Sequence, residues 1–522
     1  MGVSNITVEQ PSGTSVPGTE LMLDSNESPS QVLLPQPSSN PADPLTWPYW
    51  RKVMASLCLV LYTFLMTTAA LALSPMFPLI GETFDIPEAK LALLVGVTVI
   101  TLGYSNFIAI PMSNIFGRRA VSLIFGVLFL VCCIWQAVAK SYSSFLAARA
   151  VVGIAAAPSE TLMVQVVADL FFLHERGLWL GIYFGALCLG AFIGPVISGA
   201  IAERHGWRSF FWLSTGLIAF NLVLILFFLP ETKYSRTQHP SGQTEDMDKE
   251  PARTVHVESI ESFARLEKGR PTLKQFLPIQ PAHESWKAFL LHDLFAPIRV
   301  SIFPIVLFAA LNLMGPANMV LYWNLTESAV LGGPPYNFTP SQVGYSNFGL
   351  AGGTVVGMLT AGPLSDLLIK RATARNNGVR EAEMRLPAML PFTILIVIGT
   401  VIGGLAMQNT WPWPVLVVVG YGISGMTMTS APAIAVAYAV DSYKPLAGEL
   451  MIVGTVFKNT TGFAMTYWVP PMIERDGYMT PLMVWFVFTV APMLLALPLY
   501  FWGKKLRALT RNSPVHTYEE IL

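Results

Sequence analysis

Apolar residues run through this chain in long blocks, with the polar residues gathered between them. No Asp, Glu, Lys or Arg occurs in 53–81, 91–117, 177–202, 209–230, 300–326, 328–365, 386–440 or 477–503. A helix crosses the hydrocarbon core of a bilayer with roughly 20 apolar residues, so most of these blocks predict one crossing. The block 386–440 is long enough for two, with NTWPWP at 409–414 as the break. Together with the apolar stretches between blocks, the pattern predicts twelve spans, near 53–76, 91–112, 120–139, 144–169, 178–201, 209–229, 300–323, 343–367, 387–407, 414–440, 449–471 and 480–503. The predicted fold is therefore an all-α integral membrane protein of twelve helices in two six-helix halves. A disordered tail (1–49) leads into a first bundle (50–229). A flexible linker (230–299), carrying a surface helix near 258–275, joins it to a second bundle (300–503) and a tail (504–522).

Composition supports the membrane reading. Of 522 residues, 53% are hydrophobic and 12% charged, against about 25% charged in soluble domains. Lys plus Arg and Asp plus Glu balance at 32 each, which gives no ground for a nucleic-acid partner. Cys58, Cys132, Cys133 and Cys188 all lie within apolar stretches and read as small buried hydrophobes, not a disulfide framework. Residues 1–49 are polar and rich in Ser and Pro, so no cleavable signal peptide is expected.

Orientation follows from the short loops. With the N-terminus inside, fifteen Lys and Arg lie on the cytoplasmic side, against Lys90, Lys140, Arg204, Arg208 and Arg475 outside. Both termini are then cytoplasmic. The sequons at Asn324 and Asn337 fall between the seventh and eighth spans, on the outer side, and predict glycosylation there.

The phrase AIPMSNIFGRR (109–119) returns 252 residues later as AGPLSDLLIKR (361–371). Each copy lies between the second and third helix of its half, as expected for a parallel repeat of two bundles related by an axis along the membrane normal. Any tight cytoplasmic turn also favours small and basic residues. The repeat nonetheless marks Gly117, Arg118 and Arg119, and Gly362, Asp366 and Arg371, as candidate gate loops.

This phrase resembles the loop signature of the major facilitator superfamily, in the form found in twelve-span fungal drug:proton antiporters. Ile110 and Asn114 depart from it, standing where the family has glycine and an acidic residue; the second copy keeps both, as Gly362 and Asp366. Further similarity lies in NPADPLTWPYWRK (40–52), RAVVG (149–153), ADLFFLHERG (168–177), GWR (206–208), LPET (229–232), EMRLP (383–387) and YAVDSYKP (438–445). Gly181, Gly190, Gly194, Pro195 and Gly199 resemble the fifth-helix motif of antiporters. The resemblance implies a transporter and, through that motif, export. On physical grounds alone, the small-xxx-small pairs Gly181/Gly185 and Gly190/Gly194 serve equally for ordinary close packing.

Charges inside the spans are few, and one at the bilayer centre costs ~3 kcal/mol on insertion scales, so such residues face cavities and serve function. Glu160 is the candidate carboxyl for a proton or a cationic substrate. Arg149, eleven residues earlier on the same helical face, would hold the site open or steady that carboxyl. A structural arginine and a capped glutamate are the alternative. Lys458 would counter a carboxylate from the other half, or form a structural pair with Asp441 or Glu449.

No Gly-x4-Gly-Lys-Ser/Thr, HExxH or GxSxG pattern occurs, so no enzyme activity, metal or cofactor is expected. The reading is a monomeric, proton-coupled exporter of small organic molecules (drugs, toxins or secondary metabolites) in the plasma membrane. The alternative is proton-coupled import of cationic nutrients such as polyamines.

Overall fold

The computed structural model describes residues 19–21, 40, 42–234, 269–278, 286–376, 379–443 and 447–510. The first half holds α1 (Tyr49–Leu71), α2 (Phe77–Phe84), α3 (Glu88–Phe116), α4 (Arg118–Val138), α5 (Tyr142–Ala156), α6 (Pro158–Leu170), α7 (Leu173–His205) and α8 (Trp207–Phe228). The second follows α9 (Trp286–Val300) with α10 (Pro304–Gly332), α11 (Pro340–Arg375), α12 (Leu390–Gln408), α13 (Gly422–Ser442), α14 (Ala447–Asp476), α15 (Met479–Leu494) and α16 (Ala496–Thr510).

Ten helical segments among the described residues are long and apolar enough to cross a membrane, among them the joined segments Tyr49–Phe84, Tyr142–Leu170 and Val415–Ser442. The pair α15–α16, bent by 47°, makes a further crossing. The 30-residue α14 takes the remaining place: Lys458, Asn459, Thr460 and Thr461 lower its hydropathy, but it packs between α3 and α10. This is the expected all-α, two-half membrane architecture.

Each half has its own apolar core. One is built around Tyr62, Phe129, Val152 and Tyr183, the other around Phe308, Met389, Ile434 and Tyr438. The halves meet along two seams, α7 against α11 and α3 against α14. Glycines set the approach, because without a hydrophobic driving force in lipid close packing decides which helices associate. A Cβ on Gly344 would lie 2.7 Å from the Pro195 carbonyl oxygen, and one on Gly103 2.6 Å from the Asn459 side chain.

The ordered structure extends further than expected at two places. Residues 42–48 are ordered because Asp43 accepts from the Leu45 N–H (3.0 Å) at the turn Pro44–Thr46, and Leu45 is buried against Phe172. In the linker, the described part of the expected surface helix, 269–275, is extended and then a short turn, Leu273–Phe276, while a helix forms later, as α9; the rest of 258–275 lies outside the described residues. The Gly269 N–H and the Gln275 side chain reach the carbonyls of Thr46 and Ala42, fastening the linker to the first half. Thr19–Leu21 pairs antiparallel with Val379–Glu381 of the second half.

Candidate functional site

At ~1.5 Å rise per residue, Glu160 and Lys458 both sit about 15 Å from the linker-bearing face. There the Lys458 Nζ lies 2.6 Å from Glu160 Oε1, an ion pair that joins the two halves. Glu160 is at the first turn of α6, just past the break at Ala157 that separates α6 from α5, and its side chain is 10% exposed. Its other oxygen, Oε2, is buried and has no partner among the described residues. Beside it, the Tyr183 hydroxyl donates to the Ser159 carbonyl (2.9 Å).

Arg149 is elsewhere. It is fully buried and donates from Nε to the Leu94 carbonyl (3.2 Å), from Nη2 to the Ala70 carbonyl (2.5 Å) and from Nη1 to Gln136 Oε1 (3.4 Å). The expected support of Glu160 by Arg149 is therefore absent. Eleven residues at ~1.5 Å rise put the two about 16 Å apart along the helix axis, and backbone carbonyls of α1 and α3 take the guanidinium instead. Lys458 likewise pairs with neither of its same-half candidates: Asp441 is held by Arg380 (3.1 Å) and Arg385 (2.7 Å).

Below the pair, toward the linker face, lies a cavity of about 120 Å³, lined by Asn114, Thr161 and Gln165 from the first half and Glu449, Met451 and Ile452 from the second. The seams close above it. Within the first half, a Cβ at Gly190 or Gly194 on α7 would crowd carbonyls of α1 (2.7 Å from Phe64 O, 2.9 Å from Thr68 O). Gly199 faces the Pro340 carbonyl of α11, and the Glu203 carboxylate accepts from the Ser341 N–H (3.0 Å). Nothing lies within 4 Å of such a Cβ at Gly181 or Gly362. The halves thus touch closely at the far face, with α7 continuous through Pro195.

The gate loops are tied within each half. In the first, Arg118 pairs with Asp169 (2.9 Å). Glu231, from the LPET stretch, accepts the backbone N–H groups of Arg118 (2.9 Å) and Arg119 (3.1 Å), placing a carboxylate at the N-terminus of α4. Gly117 makes the α3–α4 corner with φ 98°, a conformation that favours glycine. The Arg119 guanidinium caps the end of α8 at the carbonyls of Ile225 (3.0 Å), Leu226 (2.8 Å) and Leu229. Lys233 caps α3 at the Ile115 carbonyl (3.0 Å), and burial, with Arg118 nearby, holds its ammonium below the ordinary lysine range.

The second half repeats the Arg118–Asp169 link with a different residue. Arg385, not Arg371, bridges Asp441 (2.7 Å) and Asp366 (3.2 Å). Arg371 is exposed and makes no ion pair among the described residues. The role of the arginine lies fourteen positions beyond Arg371, past the repeated phrase and at the start of the next span, where EMRLP was the signal. Of the sequons, Asn337 is exposed in the loop between α10 and α11, whereas Asn324 lies inside α10 with its Oδ1 buried and the sequon hydroxyl of Thr326 only 2% exposed. A glycan fits the first and has no room at the second.

The residue that sequence reasoning missed is Glu327. It follows a charge-free block and was counted as loop, but α10 continues to Gly332 and buries it completely.

Two apolar bundles, an ion pair between them and a cavity below it define the class: a polytopic membrane carrier. The Major Facilitator Superfamily model matches residues 59–448, and the chain belongs to that family. An uncharacterized MFS-type transporter of Schizosaccharomyces pombe is 27% identical over 92% of this chain and 89% of its own length. The MFS transporter cpaT of Aspergillus oryzae is 28% identical, covering 91% of each, and the efflux pump radE of Floropilus chiversii 24%, covering 90% and 83%. Among solved structures, the human organic anion transporter MFSD10 aligns with a TM-score of 0.54 at 18% identity, over 86% of this chain and all of that one. The proton:xylose symporter XylE gives 0.57 at 15% identity, over 88% and 99%. The chain is a transporter with a membrane-embedded path.

Proposed function

We propose that this protein is a proton-coupled secondary transporter that exports small organic molecules across the plasma membrane, with Glu160 as the coupling carboxyl. The observation that carries the reading is the Lys458–Glu160 ion pair, 2.6 Å long, between the two halves and directly above the cavity. A proton on Glu160 cancels the charge that holds Lys458 and loosens the halves at mid-depth. A cationic or hydrogen-bonding substrate entering from the cavity competes for the same carboxylate, whose Oε2 is free to receive it. Proton and substrate then exclude one another, which is the requirement for antiport.

Export is supported by the glycine series on α7 and by relatives that include a named efflux pump. The excess of Lys and Arg on the linker face supports cytoplasmic termini. A monomer suffices, since one chain supplies both sides of the site. One observation favours import of cationic nutrients instead: the group now docked on Glu160 is a primary ammonium, the group that a polyamine would offer.

Everted plasma-membrane vesicles under an imposed proton gradient separate these readings. Gradient-driven accumulation inside such vesicles supports export, and gradient-driven loss supports import. Glu160→Gln should abolish the gradient dependence while leaving downhill exchange; undiminished coupled transport in that variant removes the assignment.

A further inference from the structure

A second carboxylate lies near the face opposite the linker, away from the cavity. Glu327 is 0% exposed on α10, about five residues from its end. Its Oε2 accepts from the Asn347 side chain of α11 (2.9 Å), and its Oε1 meets the Ser74 hydroxyl. Ser74 belongs to the other half, in the turn Ser74–Met76 between α1 and α2. Glu327 therefore ties the two halves together where the seams are closed.

The surroundings are neutral. Among the described residues no Lys, Arg or His pairs with Glu327, and the titratable group facing it from the π-helical stretch Val415–Tyr421 of the second half is the Tyr421 hydroxyl, itself buried and unpartnered. Tyr322, on the same helix as Glu327, donates its hydroxyl to the Tyr478 carbonyl (2.6 Å). An ionised carboxylate without a cation at membrane depth costs several kcal/mol. A neutral carboxylic acid fits both partners without that cost. Its carbonyl oxygen accepts from Asn347, and its O–H donates to Ser74, since a hydroxyl serves as either donor or acceptor.

Parting the halves at this face removes Ser74 and lets water reach Glu327, and water solvates the ionised form. We propose that Glu327 is a second proton site, which carries a proton while the opposite-face gate is shut and gives it up to water when that gate opens. The O–H bond of the acid breaks in the opened gate, the proton passes to solvent, and closure requires that a proton be taken up again. Gate position and proton occupancy are thereby linked, because each state of the gate has its own preferred form of the carboxyl. This inference rests on the proton-coupled reading above and adds the site on the far side of the transport path.

The test is the separation of spin labels at Ala89→Cys and Glu474→Cys, exposed positions at the far-face ends of α3 and α14. The four native cysteines are buried, so labelling is confined to the introduced ones. Purified full-length protein in liposomes, without substrate, should show a short separation at acidic pH and a longer one at alkaline pH. Glu327→Gln, whose neutral amide can accept from Asn347 and donate to Ser74, should stay short at both. Ser74→Ala, which keeps the carboxyl but removes its tie to the first half, should lengthen the separation at acidic pH and so supplies the answer if Glu327→Gln folds poorly. The proposal is overturned if the wild type shows no pH-dependent change, if Glu327→Gln responds as the wild type does, or if Ser74→Ala leaves the response unaltered. Glu160→Gln separates this inference from the functional reading. A pH response lost there and kept in Glu327→Gln removes the present proposal alone. Coupled transport that survives Glu160→Gln removes only the assignment of Glu160.

Discussion

Lys458→Met is the most informative single change, because it isolates Glu160 without altering the path of the backbone. Nζ and Oε1 are 2.6 Å apart, and the two side chains are 20% and 10% exposed. Removing one partner of a buried pair costs about 3–5 kcal/mol, chiefly because a charge is left uncompensated. The residual contact with the cavity reduces this to about 2–3 kcal/mol, since water screens part of the charge. Glu160→Gln leaves the ammonium stranded and should cost a similar amount. In the double variant no charge remains, so the loss should be smaller than the sum of the singles by about 2 kcal/mol. A six-helix half is comparable to a domain of 150–250 residues, for which 1 kcal/mol shifts Tm by about 2–4 °C. Each single variant should therefore lower the apparent Tm by roughly 4–12 °C in a fluorescence melt of detergent-purified protein, with much of the loss recovered in the double. Strictly additive shifts would show that the two residues do not interact, and the site built on them would fall.

Substitutions at three other places test separate parts of the structure. Glu231→Ala removes the acceptor for the Arg118 and Arg119 N–H groups and should lower stability by about 2–3 kcal/mol; Glu231→Gln, which keeps one acceptor, should cost less in the same melt. Gly353→Ala drives a methyl into the Gly422 carbonyl across the α11–α13 contact and should sharply reduce the yield of monodisperse protein. Gly352→Ala, with nothing within 4 Å, should be neutral or slightly stabilising. Asn337→Gln should remove any glycosidase-sensitive shift on a gel, and Asn324→Gln should leave it unchanged.

The architecture was legible because the signal for a span is long and redundant: twenty apolar residues survive the loss of any one. Glu160 and Lys458 were also legible, as charges with no place in an apolar helix, and so was a carboxylate partner for Lys458 in the other half; that the partner is Glu160 was not, because nothing local records which helices of two halves face each other. Arg149 shows the limit of spacing arguments. Eleven residues put it on the face of Glu160 but about three turns away, and the sequence does not display the carbonyls of Leu94 and Ala70 that claim it. Glu327 and Asn324 were misplaced for one shared reason. A charge was taken to end the seventh span, whereas two neutral hydrogen-bonding side chains, Ser74 and Asn347, keep that glutamate inside it. Arg371 was chosen by register within a repeated phrase, where it matches Arg119, while Arg385, near the start of the next span, makes the carboxylate link that Arg118 makes in the first half.

Proton movement itself is the most direct measure of the proposed coupling. Purified protein in liposomes loaded with a pH-sensitive dye should move protons against the direction of a transported compound, in fixed proportion to it, and Glu160→Gln should abolish that proton flux while the compound still equilibrates down its gradient. Substrate movement with no accompanying proton flux in the wild type, or an undiminished flux in Glu160→Gln, would contradict the account.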